Sequence, residues 1–241
     1  MARLDRRTPL GALHVVGRQR EVLEAAAELA LERAREPFRG IARVDLAGAD
    51  AVLKASPFHG KSALRWGLKH ALGARLPRVN EHHNLSWLHE RLFATPEPLA
   101  AGALVRRGLP RWQFLLTRHV ADARQLGAWL AGGPPAAERR AVLDELAREV
   151  GRMHALRFVH RDLWVRNLLV VPPGGLGRLV FLDCWAGGPG PGWRGRGHDL
   201  ACLESDLRAL WTSEEARRWR ALYAAERDLG RGTGAPPRPL G

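Results

Sequence analysis

Residues 160 to 170 read His-Arg-Asp-Leu-Trp-Val-Arg-Asn-Leu-Leu-Val, and a second apolar run, residues 179 to 182, ends in Asp183. Asp162 lies in a predicted loop before a short strand, and Asn167 follows five residues later. A carboxylate within hydrogen-bond reach of an alcohol can take its proton. Amide and carboxylate oxygens are the hard ligands that Mg²⁺ prefers. The triplet alone is compatible with Asp162 as a simple helix cap, but the offsets of Asn167 and Asp183 favour a base beside a metal.

A cation for phosphate groups is predicted at the end of a short strand, Ala-Val-Leu-Lys at residues 51 to 54. Lys54 is one of only three lysines in a chain with 35 arginines. A compact ammonium is not interchangeable with a guanidinium, so a lysine retained at a strand end is informative. Lys61 and Lys69 are weaker candidates because neither ends an apolar strand. Glu81, near the start of a predicted helix, is the expected partner of Lys54, with Glu90 as the alternative.

Charge and cysteine content restrict the partners and the compartment. The 241 residues carry a net charge of +13 and two cysteines. The charge favours nucleotide phosphates, acidic lipid surfaces or nucleic acid. Nucleic acid is disfavoured because Arg is scattered and no nucleic-acid-binding motif is recognised. Two cysteines cannot form a disulfide framework, and no signal-peptide core or run of about 18 apolar residues occurs, so we expect a cytoplasmic protein.

Hydrophobic periodicity and Gly/Pro punctuation predict strands and one helix first, then a mostly helical half. The predicted helices are 18–36 (ending before Pro37), 78–93, 136–156 and a helical region over 199–228. The predicted strands are 41–46, 51–55 and 112–117. Turns or loops are expected at 172–175 and 187–197. This order indicates an α+β chain with two lobes.

Three segments together resemble a known family. They are residues 80–85 (Asn-Glu-His-His-Asn-Leu) with Lys54 upstream, residues 160–167, and residues 181–183 followed by 196–201 (Arg-Gly-His-Asp-Leu-Ala). With these motifs the chain resembles the protein-kinase-like superfamily, and within it the bacterial lipopolysaccharide kinases, which include the Kdo and core-heptose kinases. The resemblance covers roughly residues 37 to 210, and its most specific part is the segment from His160 to Asn167.

The resemblance implies a two-lobed protein-kinase-like fold. By it, residues 37–117 form an N-lobe with a small antiparallel sheet and 118–229 a compact, mostly helical C-lobe. Helical periodicity predicts that residues 1–36 are an N-terminal helical extension, and the Gly and Pro residues of 230–241 predict a disordered tail. The implied activity is Mg-ATP-dependent phosphorylation of a sugar hydroxyl on lipid A–core lipopolysaccharide, at the cytoplasmic face of the inner membrane. The implied partners are ATP, a sugar or glycolipid acceptor and, peripherally, an anionic membrane surface.

Individual roles follow from the same resemblance. Lys54 would contact the ATP phosphates, and Glu81 would position Lys54. Asp162 would be the catalytic base, and Asn167 and Asp183 would bind Mg²⁺. A buried Asp199 would anchor the backbone of the catalytic loop, residues 160 to 167. His160 is expected to hold backbone geometry, and the role of Arg161 stays open.

Several departures from the protein-kinase pattern bear on the acceptor. No GxGxxG precedes Lys54, and Phe38-Arg39-Gly40 is the nearest, weak candidate for a phosphate loop. Residues 184 to 204 contain no Ser, Thr or Tyr, which excludes phospho-activation within that segment. No Ala-Pro-Glu segment follows Asp183. These features favour a small or glycolipid acceptor over a protein.

Other functions compete with this prediction. An aminoglycoside- or choline-kinase-like phosphotransferase is one, although those enzymes usually have a small residue where Arg161 stands. A protein Ser/Thr kinase is another. A pseudokinase is favoured by the missing glycine loop and by Trp185, which follows Cys184 where a kinase has Gly, and is disfavoured by the intact acidic set.

Overall fold

The computed structural model describes residues 1–36, 38–171, 179–190 and 193–232. The chain divides into two compact units. The first comprises Met1–Ser86 and Pro96–His119, and the second comprises Trp87–Thr95 and the chain from Val120 onward. The turn predicted at 172–175, the stop at Pro37 and residues 233–241 of the expected tail lie outside the described residues.

The first unit is built on a six-stranded antiparallel sheet in the order β1-β2-β5-β6-β4-β3. Its strands are β1 (Ala2–Thr8), β2 (Gly11–Gly17), β3 (Gly40–Leu46), β4 (Ala49–Pro57), β5 (Pro98–Arg106) and β6 (Leu109–Arg118). β4 lies between β3 and β6, where Lys54 is opposite Ile41 on one side and Leu115 on the other. The strand that carries Lys54 is therefore held from both sides.

Helix α1 (Arg20–Arg35) covers one face of this sheet with small side chains. Leu23, Ala26, Ala30 and Ala34 recur every three or four residues and are buried against the sheet. Alanines at these positions let a helix approach a sheet closely. Within the sheet, Gly102 on β5 permits a close contact with the neighbouring strand β2, because a Cβ atom there would stand 2.3 Å from the carbonyl oxygen of His14.

Two further helices follow β4. Helix α2 (Gly60–Ala71) packs along β6, and Gly67 permits the contact because a Cβ there would stand 2.7 Å from the Leu109 side chain. Helix α3 (Pro77–His89) begins with proline, whose fixed φ and missing N–H suit the first helical position. Its residues up to Ser86 belong to the first unit.

The second unit is mostly helical. Its helices are α4 (Leu126–Ala131), α5 (Ala136–Ala155), α6 (Trp193–Leu207) and α7 (Ser213–Gly232). Its short strands are β7 (Arg124–Gln125), β8 (Phe158–Val159), β9 (Leu168–Val170), β10 (Leu179–Phe181) and β11 (Gly188–Pro189), which form the ladders β10-β9-β7 and β11-β8. Among the described helices of the whole chain, none is both long and apolar enough to cross a membrane.

Helices α5 and α7 pack against each other and form the main helix pair of the second unit. The predicted apolar stripe of α5 is buried and comprises Val142, Leu146, Val150 and Met153. Two ion pairs join the helices at the surface: Arg139 to Glu215 at 2.6 Å and Arg218 to Asp144 at 2.6 Å. Gly151 allows the backbones to meet, since a Cβ there would be 2.8 Å from the Tyr223 carbonyl oxygen.

The structure corrects several sequence predictions. Residues 1–17 are β1 and β2 of the sheet rather than part of a helical extension, because β2 pairs with β5 along six residues. Strand β5 and helix α2 were not predicted from the sequence. Helix α6 starts at Trp193, inside the loop expected over 187–197. The helical region expected over 199–228 is two helices, and α7 continues to Gly232, into the expected tail.

Candidate active site

Lys54 and Glu81 meet in the first unit. The alternating burial of β4 places Ala51, Leu53 and Ala55 in the core and turns Lys54 to the opposite face. Its Nζ donates to Glu81 Oε1 at 3.2 Å. Glu81 lies on α3, and its side chain is only 3% exposed. The predicted pair of Lys54 and Glu81 is therefore present as a partly buried ion pair.

A second cation shares this carboxylate, which the sequence analysis missed. Arg78, one turn before Glu81 on α3, donates from Nη1 to Glu81 Oε2. Its backbone N–H donates to Gln113 Oε1 at 3.1 Å, and Gln113 Nε2 donates to Ser56 Oγ at 3.1 Å. These bonds tie the start of α3 to strands β6 and β4. Glu81 is thus held by its helix and by two cations, and it in turn restrains Lys54. The i,i+3 spacing of Arg78 and Glu81 was the available signal.

The remaining predicted residues come together in the second unit, at the loop that follows α5 and β8. Asn167 ends a short 3-10 helix (Val165–Asn167). Its Nδ2 donates to the backbone carbonyl of Asp162 at 2.8 Å. Because the nitrogen of the Asn167 side chain is used in this hydrogen bond, the side-chain oxygen is left to bind another group. The backbone carbonyl of Asn167 also accepts from the Leu182 N–H at 2.9 Å, which places Asp183 one residue from that contact.

Asp183 follows β10 in the left-handed region of backbone space, with φ 58°. Arg161, beside Asp162, has φ 61°. Non-glycine residues seldom adopt this conformation, which persists where surrounding structure imposes it and is enriched at functional sites. Of the seven described non-glycine residues with a positive φ, Arg161 adjoins a predicted site residue and Asp183 is one itself.

Asp199, on α6, supplies the restraint for Arg161. Its side chain is fully buried. Oδ2 accepts from the His160 backbone N–H at 2.8 Å, and Oδ1 accepts from the Arg161 backbone N–H at 2.7 Å. One carboxylate therefore satisfies two successive backbone donors, of which that of His160 is buried. The predicted anchoring contact of Asp199 with the catalytic loop is present in the structure.

Two further residues extend this anchor and were not predicted. His154 Nε2 lies 3.1 Å from Asp199 Oδ2, and its Nδ1 lies 2.9 Å from the hydroxyl of Tyr223 on α7. Burial raises the pKa of Tyr223, so its hydroxyl stays protonated. Tyr223 is the only tyrosine in the chain, but nothing local in the sequence joins it to His154, 69 residues earlier.

His160 is fully buried, and burial lowers its pKa despite the nearby charge of Asp199. A neutral, fully buried imidazole is a structural group, and its expected role in holding backbone geometry stays a prediction. Arg166 is a different case, because its side chain is 59% exposed. It lies over the Trp164 ring at 5.0 Å, and its Nη2 is 3.4 Å from Asp162 Oδ1. A cation thus stands beside the predicted base, another residue that the sequence analysis did not single out.

The two oxygen ligands Asn167 and Asp183 suit Mg²⁺, which needs few protein ligands, better than a metal ion that is coordinated by protein side chains alone. Among the described residues no cluster of three or more His, Cys, Asp or Glu could hold a metal ion. Asn167 and Asp183 offer two hard oxygen ligands on adjoining backbone. Mg²⁺ commonly takes one or two protein oxygens and completes its shell with substrate phosphates and water. His82 is buried on α3, and burial lowers its pKa to about 4.

Comparison with known proteins identifies the family. The family model described as "Lipopolysaccharide kinase (Kdo/WaaP) family" matches residues 61–224, a range that contains Glu81 and the whole catalytic loop and begins after Lys54. A comparison with curated proteins finds no match.

Many solved structures match this chain, among them these two. One is "WaaP in complex with acyl carrier protein", with 19% identity, 90% of this chain and 92% of that chain covered, and a TM-score of 0.60. This similarity confirms the kinase-like α+β fold. The other is the yeast RNA polymerase II CTD kinase complex CTDK-1, with 13% identity over 63% of this chain and 44% of that chain. Its TM-score of 0.39 is too low to carry an argument.

Proposed function

The chain belongs to the lipopolysaccharide kinase (Kdo/WaaP) family and is therefore a kinase of lipopolysaccharide core, and from this premise we propose which of its residues bind ATP and metal and which act on the acceptor. The observation that carries the proposal is the construction of the catalytic loop. Asp199 holds the loop's backbone at His160 and Arg161, and the Asn167 amide holds the carbonyl of Asp162. The loop thereby fixes the predicted base and the predicted metal ligand relative to each other.

Lys54 binds the α- and β-phosphates of ATP in this proposal. A phosphate-binding ammonium must be held at one position, because positioning is most of what the protein contributes to phosphoryl transfer. The Glu81 carboxylate provides that restraint, and its second oxygen is already engaged by Arg78. Glu81 is therefore a positioning residue that stays charge-balanced when Lys54 turns to a phosphate.

In this proposal Asn167 and Asp183 would hold Mg²⁺. The ion would supply positive charge that neutralises the negative charge developing on the phosphoryl group during transfer. The oriented amide of Asn167 and the left-handed backbone of Asp183 support this assignment. The hydrogen bond from the Leu182 N–H to the Asn167 carbonyl oxygen lies next to Asp183 and helps to hold its backbone in that conformation. Strained backbone of this kind clusters at ligand-binding sites.

Asp162 accepts the proton of the acceptor hydroxyl. As the acceptor O–H bond breaks, its oxygen forms the new bond to the γ-phosphorus, the bond from that phosphorus to the bridging oxygen breaks, and ADP leaves. Arg166 stabilises the transferring phosphoryl group, since a preorganised cation is most effective where charge develops. Its contact with Asp162 at 3.4 Å and its exposed guanidinium support this role.

The acceptor is a hydroxyl of a lipopolysaccharide core sugar or of Kdo. The absence of Ser, Thr and Tyr from residues 184 to 204 supports an enzyme without a phospho-switch there. We place the enzyme on the cytoplasmic side, where ATP is available, in peripheral contact with the anionic surface of the inner membrane. The net charge of +13 supports that contact.

The test uses labelled ATP with three acceptors: Kdo-containing lipid A, complete lipid A–core and the deacylated core oligosaccharide. Wild type is compared with Asp162→Asn, and Asp228→Asn, an exposed carboxylate on α7, serves as the matched control. We expect Asp162→Asn to keep Mg-ATP binding and to lose about 10²-fold or more in transfer rate. Wild type that phosphorylates none of the three acceptors, or Asp162→Asn with an unchanged rate, would refute the proposal.

A further inference from the structure

Helix α2 leaves an apolar row uncovered on the surface of the first unit. It buries Ala63 and Gly67 against β6. Leu64, Leu68 and Leu72, spaced four residues apart from within the helix to its C-cap, are 64%, 64% and 80% exposed. Residues at i, i+4 and i+8 lie one above another on a helix, so these side chains form one continuous row. Single exposed leucines are ordinary, but an aligned row on one helix marks a surface for interaction.

A second row, of cations, runs parallel to the leucines. Lys61, Arg65 and Lys69 have the same spacing of four residues and are all exposed. No ion pair joins any of them to a carboxylate in the described part of the chain. The chain from residue 51 to residue 80 contains no Asp or Glu at all. The positive charge of this helix is therefore not neutralised within its own segment.

The two rows give α2 the pattern of an interfacial helix. Such helices place aliphatic side chains at the boundary of headgroups and acyl chains, and place Lys and Arg at the lipid phosphates. Lys69 lies over the Trp66 ring with its Nζ 4.9 Å from the ring centre, which adds an aromatic group beside the cations. Lysine is also concentrated here, because two of the three lysines of the chain lie on this helix.

We propose that α2 is the element that binds the membrane, with the leucine row inserted at the interface of an anionic bilayer and the cation row on the lipid phosphates. The inference deepens the proposed function and rests on it in one respect: an acceptor anchored in a membrane brings the enzyme to that surface. An acidic protein would also complement the cations. The exposed leucine row together with a lipid-linked acceptor favours the bilayer.

The test measures co-sedimentation of the full chain with vesicles in the absence of ATP. One set contains phosphatidylglycerol with phosphatidylethanolamine, and the other contains phosphatidylcholine alone. We expect wild type to bind the anionic vesicles. The variant K61Q/R65Q/K69Q should lose about 10²-fold in affinity for them, because each basic residue near such a surface contributes roughly fivefold. The control R140Q/R208Q/R217Q removes the same charge from exposed positions on α5, in the turn after α6 and on α7, and should bind like wild type.

The leucine row is tested separately. Leu68→Ser is expected to weaken binding about tenfold, because the row contributes by burial of apolar groups. Ile41→Ser, at a 69% exposed position on β3, is the matched control and should have no effect. Circular dichroism and thermal unfolding confirm that each variant is folded. Wild type that fails to bind anionic vesicles, or α2 variants that bind no more weakly than their controls, would overturn the proposal, and the first outcome would leave an acidic protein as the occupant of α2.

A second measurement separates this proposal from the proposed activity. The α2 variants should phosphorylate the deacylated core oligosaccharide at the wild-type rate and lipopolysaccharide embedded in anionic vesicles more slowly. If wild type transfers phosphate to no acceptor while vesicle binding still depends on α2, the activity assigned above fails and the membrane role stands. If both acceptors are phosphorylated equally by all variants, the membrane role fails alone.

Discussion

Replacing Asp199 with Asn tests whether the carboxylate on α6 holds the backbone of the catalytic loop in place. Asp199 is fully buried and accepts from the His160 and Arg161 backbone N–H groups at 2.8 and 2.7 Å. Asparagine keeps the shape but turns one acceptor into a donor. One of the two backbone N–H groups then faces another donor, which costs about 1–3 kcal/mol of stability. The other N–H keeps an acceptor that is no longer charged, which costs about 1 kcal/mol. We expect Asp199→Asn to lower the free energy of unfolding by roughly 2–4 kcal/mol.

The same change should reduce catalysis more than nucleotide binding. Without its acceptor, Arg161 loses the bond that holds its left-handed backbone, and Asp162 moves with it. A displacement of about 1 Å can cost about 10²-fold in rate. Urea unfolding gives the stability, and labelled-ATP transfer gives kcat and KM.

Asp206→Asn is the control, because Asp206 accepts only one backbone N–H, that of Val165 at 3.0 Å. We expect it to cost about 1 kcal/mol. Asp199→Asn with wild-type stability, or with wild-type kcat in the folded protein, would refute the reasoning.

Three further changes give separable outcomes. Glu81→Gln should reduce kcat/KM for ATP by about 10²-fold, because Lys54 loses its restraint, while kcat at saturating ATP falls less; equal losses in both would contradict a positioning role. Arg166→Leu should lower kcat by about 10²-fold with little change in ATP affinity, measured by single-turnover transfer, and an unaffected rate would remove Arg166 from the mechanism. His82→Leu tests the pH dependence of stability: the folded-state pKa of His82 is about 4, below its unfolded value of about 6.5, so the unfolded state takes up a proton first. Wild type should therefore lose about 2–3 kcal/mol as the pH falls from 6.5 to 4, and His82→Leu should lose less over that window in urea titrations; equal losses would show that His82 does not contribute.

The site residues that could be predicted from the sequence lie close to their partners along the chain, or belong to motifs and elements that follow one another in a recognisable order. Strand β4 was predicted from an apolar run, and Lys54 stood out by its rarity among arginines. Asn167 and Asp183 were placed by their offsets from Asp162. The contact between Lys54 and Glu81 followed from the order of a strand and a helix, and the structure contains it. The functional roles of these residues stay predictions.

Other elements carried weak or misleading patterns. Strand β1 is an edge strand in which five of seven residues are charged or polar, so it lacks the alternation that marks a half-buried strand. Strand β5 is nearly all buried and rich in Ala and Gly, which have low strand propensity, and its pairing with β2 and β6 overrides that preference. Helix α2 has its leucines on the exposed side and Gly67 at its centre, opposite to the usual pattern of a surface helix.

The contact of His154 with Asp199, and that of Tyr223 with His154, have a consequence for the order in which the catalytic loop and its supporting residues are synthesised. Asp199 follows Arg161 by 38 residues, and Tyr223 follows His154 by 69. On the ribosome, the loop at 160–167 is therefore synthesised well before the carboxylate and the hydroxyl that fix it. Contacts of such sequence separation form late, because the closure of the intervening chain must come first. The nascent chain thus contains every residue of the catalytic motif before it has an active geometry, and the loop becomes competent only when α6 and α7 have docked on α5.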